Sequence, residues 1–301
     1  MQLIAQFFHQ LALTAPVNRS AGLSEAELVA RHGALATALV LLLVAGLAAD
    51  LLLLIRWARR GSPGHWLNVG PKPWGLVELA AMTGTLLFVL LAMALIGTLI
   101  ARDPNASLSA GLALELVARL GLLAALPLFL RRQQIDWRTA FGLSDAKPGT
   151  ALASGGLLFC AVVPPLIGAV ALSERLCRAV GVKITTQPIA DLFLTTTSAP
   201  ALVLLVVFAL AIAPVFEEVF FRGLAYPALK QRLGPARALV VVSAAFALVH
   251  FHAPSVVPLF ALSLALGLAY EYTGSLLTPI AIHALFNATN VLTLFYVRAH
   301  P

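Results

Sequence analysis

The stretch APVFEEVFFRG, residues 213–223, decides how this chain is read. It sets two adjacent carboxylates, Glu217 and Glu218, and one guanidinium, Arg222, within an apolar run that begins upstream as ALVLLVVFALAI, residues 201–212. A run of that length reaches across the hydrocarbon core of a bilayer. An ionised side chain at the centre of a membrane helix costs about 2.5–3.5 kcal/mol on insertion scales, and intramembrane charges are functional candidates by default. Charges clustered there ask for a chemical explanation.

Composition places the whole chain in lipid. Of its 301 residues, 60% are hydrophobic and 11% charged, and the mean hydropathy is +0.93. Soluble domains carry about 25% charged residues. The fold class is therefore all-α, a polytopic membrane helical bundle. Apolar runs predict spans near 34–55, 77–100, 108–130, 150–172, 200–221, 236–251, 256–272 and 276–297. The sixth and seventh are short, so the expectation is seven or eight transmembrane helices. The net charge of +7 does not signal nucleic acid. Its cations sit in short loops and set orientation: Arg56, Arg59, Arg60 and Lys72; Arg131, Arg132, Arg138 and Lys147; Lys230, Arg232 and Arg237. That distribution predicts these loops on the cytoplasmic side and both termini outside. Cys160 and Cys177 form no CxxC pair or thiolate cluster, which argues against a cysteine zinc site or a disulfide framework.

Three segments organise the chain. Residues 1–33 read as an interfacial N-terminal segment without a removable signal peptide. Within it, residues 2–14 have the stripes of a helix lying on the membrane, and Ser24 with Glu27 forms a capping box that opens a second short helix. Residues 34–149 carry N-terminal transmembrane helices. Residues 150–297 carry the polar groups of acid–base type.

Helical spacing sorts those groups. Glu218 and Arg222 stand four residues apart, share a face and can pair. Glu217 points about 100° away, which leaves its carboxylate for other helices. The next span ends in FALVH, where Phe246 can pack beside His250 and fix it. The last span holds His283 and Asn287, again four apart, able to act on one target. Outside this half, Asp50 lies near a span end, and Glu115 with Arg119 makes a four-spaced pair that lowers its own insertion cost. His252 reads as a span-end histidine. His9, His32, His65 and His300 lie in expected loops or interfacial segments.

Together EEVFFR at 217–222, FALVH at 246–250 and HALFN at 283–287 match the motif set EExxxR, FxxxH and HxxxN/D. In this the chain resembles the CPBP family of intramembrane proteases, also called the CAAX-protease and bacteriocin-processing or Abi family. The resemblance covers about residues 150–297. It implies a helical bundle with a conical cavity open to the membrane and the cytoplasmic side, and an intramembrane endopeptidase acting on a membrane-associated or lipidated peptide or protein. It further implies that Glu217 and His250 activate water, that His283 and Asn287 donate to the oxyanion, and that Glu218, Arg222 and Phe246 support them. The residues agree with this on their own chemistry. A carboxylate with an imidazole is a competent water-activating pair, and amide or imidazole N–H groups in a dry site stabilise an oxyanion.

A metal is the open point. Two histidines and a glutamate can also hold a catalytic zinc, here on Glu217, His250 and His283, and the family is often labelled as metalloproteases. No HExxH helix is present, so the reading favours glutamate-activated water with no obligate cofactor. The expected partners are membrane lipid and a membrane-associated peptide or protein, without nucleic acid. The expected location is the bacterial inner membrane. Two other classes fit less well. A catalytically silent binding or immunity protein of the same fold would not need all four catalytic groups intact. A proton-coupled transporter using Glu217, Glu218 and Asp50 would show internal repeats with broken helices, and its polar groups would not crowd into one half.

Overall fold

The computed structural model describes residues 25–60, 67–100, 108–143 and 148–299, and among them it contains helices and connections but no strand. In chain order the main helices are α1 (Glu25–Arg60), α2 (Leu76–Ile100), α3 (Leu108–Arg132), α4 (Pro148–Ala179) and the short α5 (Pro188–Thr195). They continue with α6, an unbroken helical rod over Ala199–Leu233, then α7 (Pro235–Leu248), α8 (Val256–Thr273) and α9 (Leu277–Ala299). α2, α3, α4, α6, α8 and α9 are long and apolar enough to cross a membrane, and α1 and α7 add shorter apolar stretches. The protein is an integral membrane helical bundle. Leu87, Phe88, Leu91 and Leu95 on α2 are exposed, which in a bilayer is contact with lipid tails.

Two local expectations differ from the structure. The Ser24–Glu27 signal precedes a single helix of 36 residues that runs on into the first span, not a separate short helix. One glycine, Gly33, is too weak a breaker to end a helix whose downstream residues are strong helix formers. Second, the connection between the spans expected at 150–172 and 200–221 is largely helical. α4 continues to Ala179, and α5 begins with Pro188 in its first turn, where a missing N–H is harmless. Phe193 of α5 is buried with Leu205 and Val291. The interfacial helix expected at 2–14 lies outside the described residues, as do His9, His65, His300 and the side chain of His32.

α4 is the central buttress, packing on α1, α8 and α9. Its contact with α9 is close because Gly155 has no side chain. A Cβ there would come within 2.6 Å of the Ala281 Cβ, the small-residue approach common between membrane helices. A second tight point lies where the turn after α3 meets the α8–α9 turn. Gly142 at φ +66° abuts the carbonyl of Gly274, itself at φ +68° as the C-terminal cap of α8, and the Leu276 amide donates to the Phe141 carbonyl at 3.0 Å. Phe141 in turn packs over Gly223 of α6.

Near this end of α6 lies a buried polar cluster. Glu271, 2% exposed, accepts from the Tyr226 hydroxyl at 2.5 Å, from Lys230 Nζ and from the Val69 amide at 3.2 Å. Trp74 Nε1 donates to the Leu224 carbonyl at 3.1 Å. The segment before α2 is thereby fastened to α6 and α8. Lys230, counted from sequence among the orienting loop cations, lies in the last turn of α6, part-buried, and pairs with Glu271. The charge is tolerated because the carboxylate is fully hydrogen-bonded.

The glycine contact generates a paired test. Gly155→Val should lower the thermal midpoint in detergent by several degrees, because two branches must fit where one Cβ already collides. Gly156→Ala meets nothing within 4 Å and should leave the midpoint unchanged or raise it slightly. Differential scanning fluorimetry of both variants checks this.

Candidate active site

The glutamates sit on the one part of α6 whose helical register is irregular. Bonding widens from α to π over Phe208–Ile212 and again over Val219–Ala225, which leaves six α-helical residues, Ala213–Glu218, between the two wide turns. Wide turns of this kind occur often at functional sites. Pro214 explains the first. The Ala213 amide donates back to the Phe208 carbonyl, five residues earlier. By the same register the next amide would serve the Ala209 carbonyl, but residue 214 is a proline and has no N–H. The carbonyl is satisfied from another helix, where Asn287 Nδ2 of α9 donates to Ala209 O at 2.8 Å.

Glu218 is the hub of the site. Its side chain is 0% exposed and that of Arg222 is 1% exposed. Arg222 Nη1 donates to Glu218 Oε1 at 2.9 Å, and Nη2 donates to both the carbonyl (2.8 Å) and the hydroxyl (2.6 Å) of Ser263 on α8. The guanidinium carbon lies 4.9 Å from the centroid of the Phe246 ring, a favourable cation–π placement where water is excluded. The same Glu218 Oε1 lies 2.9 Å from His283 Nδ1. A carboxylate can only accept, so Nδ1 carries a proton and Nε2 of a neutral His283 is left bare.

That bare nitrogen stands 3.9 Å from Glu217 Oε2. The Glu217 side chain is 22% exposed, yet Oε2 itself is buried and without a hydrogen-bond partner. The two adjacent carboxylates thus have different surroundings. Glu218 is closed in by a cation and an imidazole, whereas Glu217 has no cation paired to it among the described residues. His250, at the end of α7, is held by its own helix: Nδ1 lies 2.7 Å from the Phe246 carbonyl, so that nitrogen too is the donor and Nε2 remains free. The fully buried Phe246 ring touches both imidazoles, at 4.9 Å to the centroid of His250 and 5.9 Å to that of His283. One phenyl ring therefore separates and orients both histidines and the arginine.

Glu217, Glu218, Arg222, Phe246, His250 and His283 are joined by direct contacts, and Asn287 enters through the backbone of α6. His252 stands apart, between Thr185 Oγ1 at 3.1 Å and Ser255 Oγ at 2.7 Å. Sequence reasoning missed Ser263, Pro214 and the bond from Glu218 to His283. A serine among leucines has no helical partner to announce it. The proline before the glutamates was the available signal for an unpaired carbonyl. For zinc on Glu217, His250 and His283, three ligands would have to converge on one point. Among the described residues no group of three His, Cys, Asp or Glu side chains does so, although both histidines keep Nε2 free with Nδ1 held by an acceptor, as zinc-ligating histidines do.

The Pro214–Asn287 relation predicts non-additive stability. Asn287→Ala should destabilise the protein by about 1–2 kcal/mol by leaving the Ala209 carbonyl unpaired. In a Pro214→Ala background, where residue 214 regains an amide, the same change should cost less than half as much. A double-mutant cycle on thermal or denaturant stability reads the coupling. Equal costs in both backgrounds would show that the contact carries no weight.

Comparison with known proteins converges on the same segment. No curated protein and no solved structure matches the chain. Residues 199–289 match the family model described as type II CAAX prenyl endopeptidase Rce1-like. The match spans α6 through Asn287 and so takes in every residue of the constellation. This match supports assigning residues 199–289 to the CAAX-protease, or CPBP, family.

Proposed function

We propose that this protein hydrolyses a peptide bond of a membrane-associated or lipidated peptide, with Glu217 taking the proton of the attacking water. One observation carries the reading: of two adjacent carboxylates, only Glu218 is in contact with a cation, and Glu217 sets a buried oxygen without a protein partner 3.9 Å from His283 Nε2. That gap is too long for a direct hydrogen bond and suits one water oxygen in contact with both groups. As the water oxygen bonds to the scissile carbonyl carbon, its proton passes to Glu217. When the tetrahedral intermediate collapses, the C–N bond breaks and the proton goes to the departing nitrogen. His283, oriented by Glu218, accepts from the same water. His250 supplies a second imidazole with a free Nε2. The Asn287 amide nitrogen has two protons, and Ala209 uses one of them, so the other can donate to the oxyanion. The substrate reaches the site from the lipid, in a bacterial inner membrane with the cavity toward the cytoplasm. The basic loops and the family resemblance support that orientation.

The test is cleavage of an internally quenched peptide bearing an S-farnesyl cysteine followed by three apolar residues. Glu217→Gln should lower turnover by roughly 10²–10⁴-fold, with an unchanged elution profile and thermal midpoint. Turnover retained in that variant would remove Glu217 from the chemistry. Prolonged incubation with EDTA should leave wild-type activity intact, and elemental analysis should find well under one zinc per chain. One zinc per chain, lost in both His250→Ala and His283→Ala, would instead establish a metal centre.

A further inference from the structure

We propose that Arg119 of α3 is the subsite that receives the carboxylate of the peptide substrate, an inference that rests on the endopeptidase reading above. Arg119 stands near the middle of a membrane-spanning helix, too far from either end for its side chain to reach the interface. Its guanidinium carbon lies 4.8 Å from the centroid of the Phe208 ring and 5.7 Å from that of Phe216, both on α6. Phe208 immediately precedes Ala209, the residue that anchors Asn287. Phe216 immediately precedes Glu217. The cation is therefore laid against the stretch of α6 that carries the reacting groups.

The remaining donors of Arg119 are what make it a site. A guanidinium has five N–H donors in a planar fork suited to carboxylates. Nη1 pairs with Glu115 one turn earlier on α3, while Nε is buried without a partner. The Glu115 side chain is 41% exposed against 20% for Arg119, so the internal partner sits on the more open side. An ion pair formed only to ease insertion would not need the two aromatic faces. Glu115 offsets the charge when no substrate is bound. A substrate carboxylate approaching along α6 finds the rest of the fork already fixed in place. Anchoring the chain end on the stretch of α6 next to Glu217 would also set how far from that end the bond is cut.

Binding tests this without turnover. The probe is the same farnesyl-cysteine peptide, fluorescently labelled, made as the free C-terminal acid and as the carboxamide. Both are titrated into the Glu217→Gln protein in zwitterionic lipid nanodiscs. The acid should bind roughly 10- to 100-fold more tightly than the amide. The ratio should fall to near one in Arg119→Gln, and equally in the pair Glu115→Gln with Arg119→Gln, which removes both charges and guards against misfolding. Arg119→Lys should keep part of the preference, as a point charge without the fork. Equal affinity for acid and amide, or a preference that survives Arg119→Gln, overturns the proposal. So does an Arg119 effect seen only when anionic phosphatidylglycerol replaces the zwitterionic lipid, since that outcome assigns the cation to lipid phosphate. Failure of the peptide to be cleaved by wild type would count against the role of Glu217 and leave this readout unaffected.

Discussion

The rest of the site depends on one buried ion pair, Glu218 with Arg222. Neither side chain meets solvent, and in so dry a place an unpaired charge is far more costly than a paired one, so each holds the other where it is. From that pair the contacts spread to α7, α8 and α9. Arg222 takes hold of α8 through Ser263 and lies on the Phe246 ring of α7. Glu218 takes hold of α9 through His283. Two helices, α8 and α9, are thus located relative to α6 by hydrogen bonds with fixed directions, and α7 by the arginine–ring contact, where apolar packing against lipid would give weaker positional control.

Helix geometry then separates two identical side chains into two roles. Neighbouring residues on a helix diverge by about 100°. Once Glu218 faces Arg222 and His283, Glu217 turns to a different sector. There it keeps a buried carboxylate oxygen free of any protein partner. The wide turns on either side adjust the same rod without breaking it. Pro214 removes one amide, Asn287 supplies a substitute from α9, and the exchange pins that helix to the segment next to the glutamates.

The polar face of α6 does not stop at the site. Glu218, Arg222, Tyr226 and Lys230 recur at four-residue spacing, and α8 answers with Ser263 and Glu271. The upper part of this stripe orients catalytic candidates. The lower part, centred on Glu271, fastens the segment before α2. Both obey the same constraint: where water is excluded, each donor and acceptor needs a partner within the bundle. Around the site the constraint is only partly met, since Glu217 Oε2, Glu218 Oε2 and Arg222 Nε are buried without a protein partner.

The sequence by itself determined the bundle, because hydrophobic runs of spanning length admit little else in lipid. It also determined the pairing of Glu218 with Arg222 and the divergence of Glu217, since both follow from residues on one helix. Phe246 beside His250 was legible for the same reason. Contacts between helices were not legible, because no local spacing encodes them. Only the tertiary structure decided that His283 bonds to Glu218 and looks toward Glu217, that Ser263 holds Arg222, and that Asn287 completes a carbonyl left bare by Pro214. It also paired Lys230 with the buried Glu271 and placed Arg119 against Phe208 and Phe216. In each case the deciding quantity is the distance between atoms on different helices, which depends on how closely small residues such as Gly155 let those helices approach.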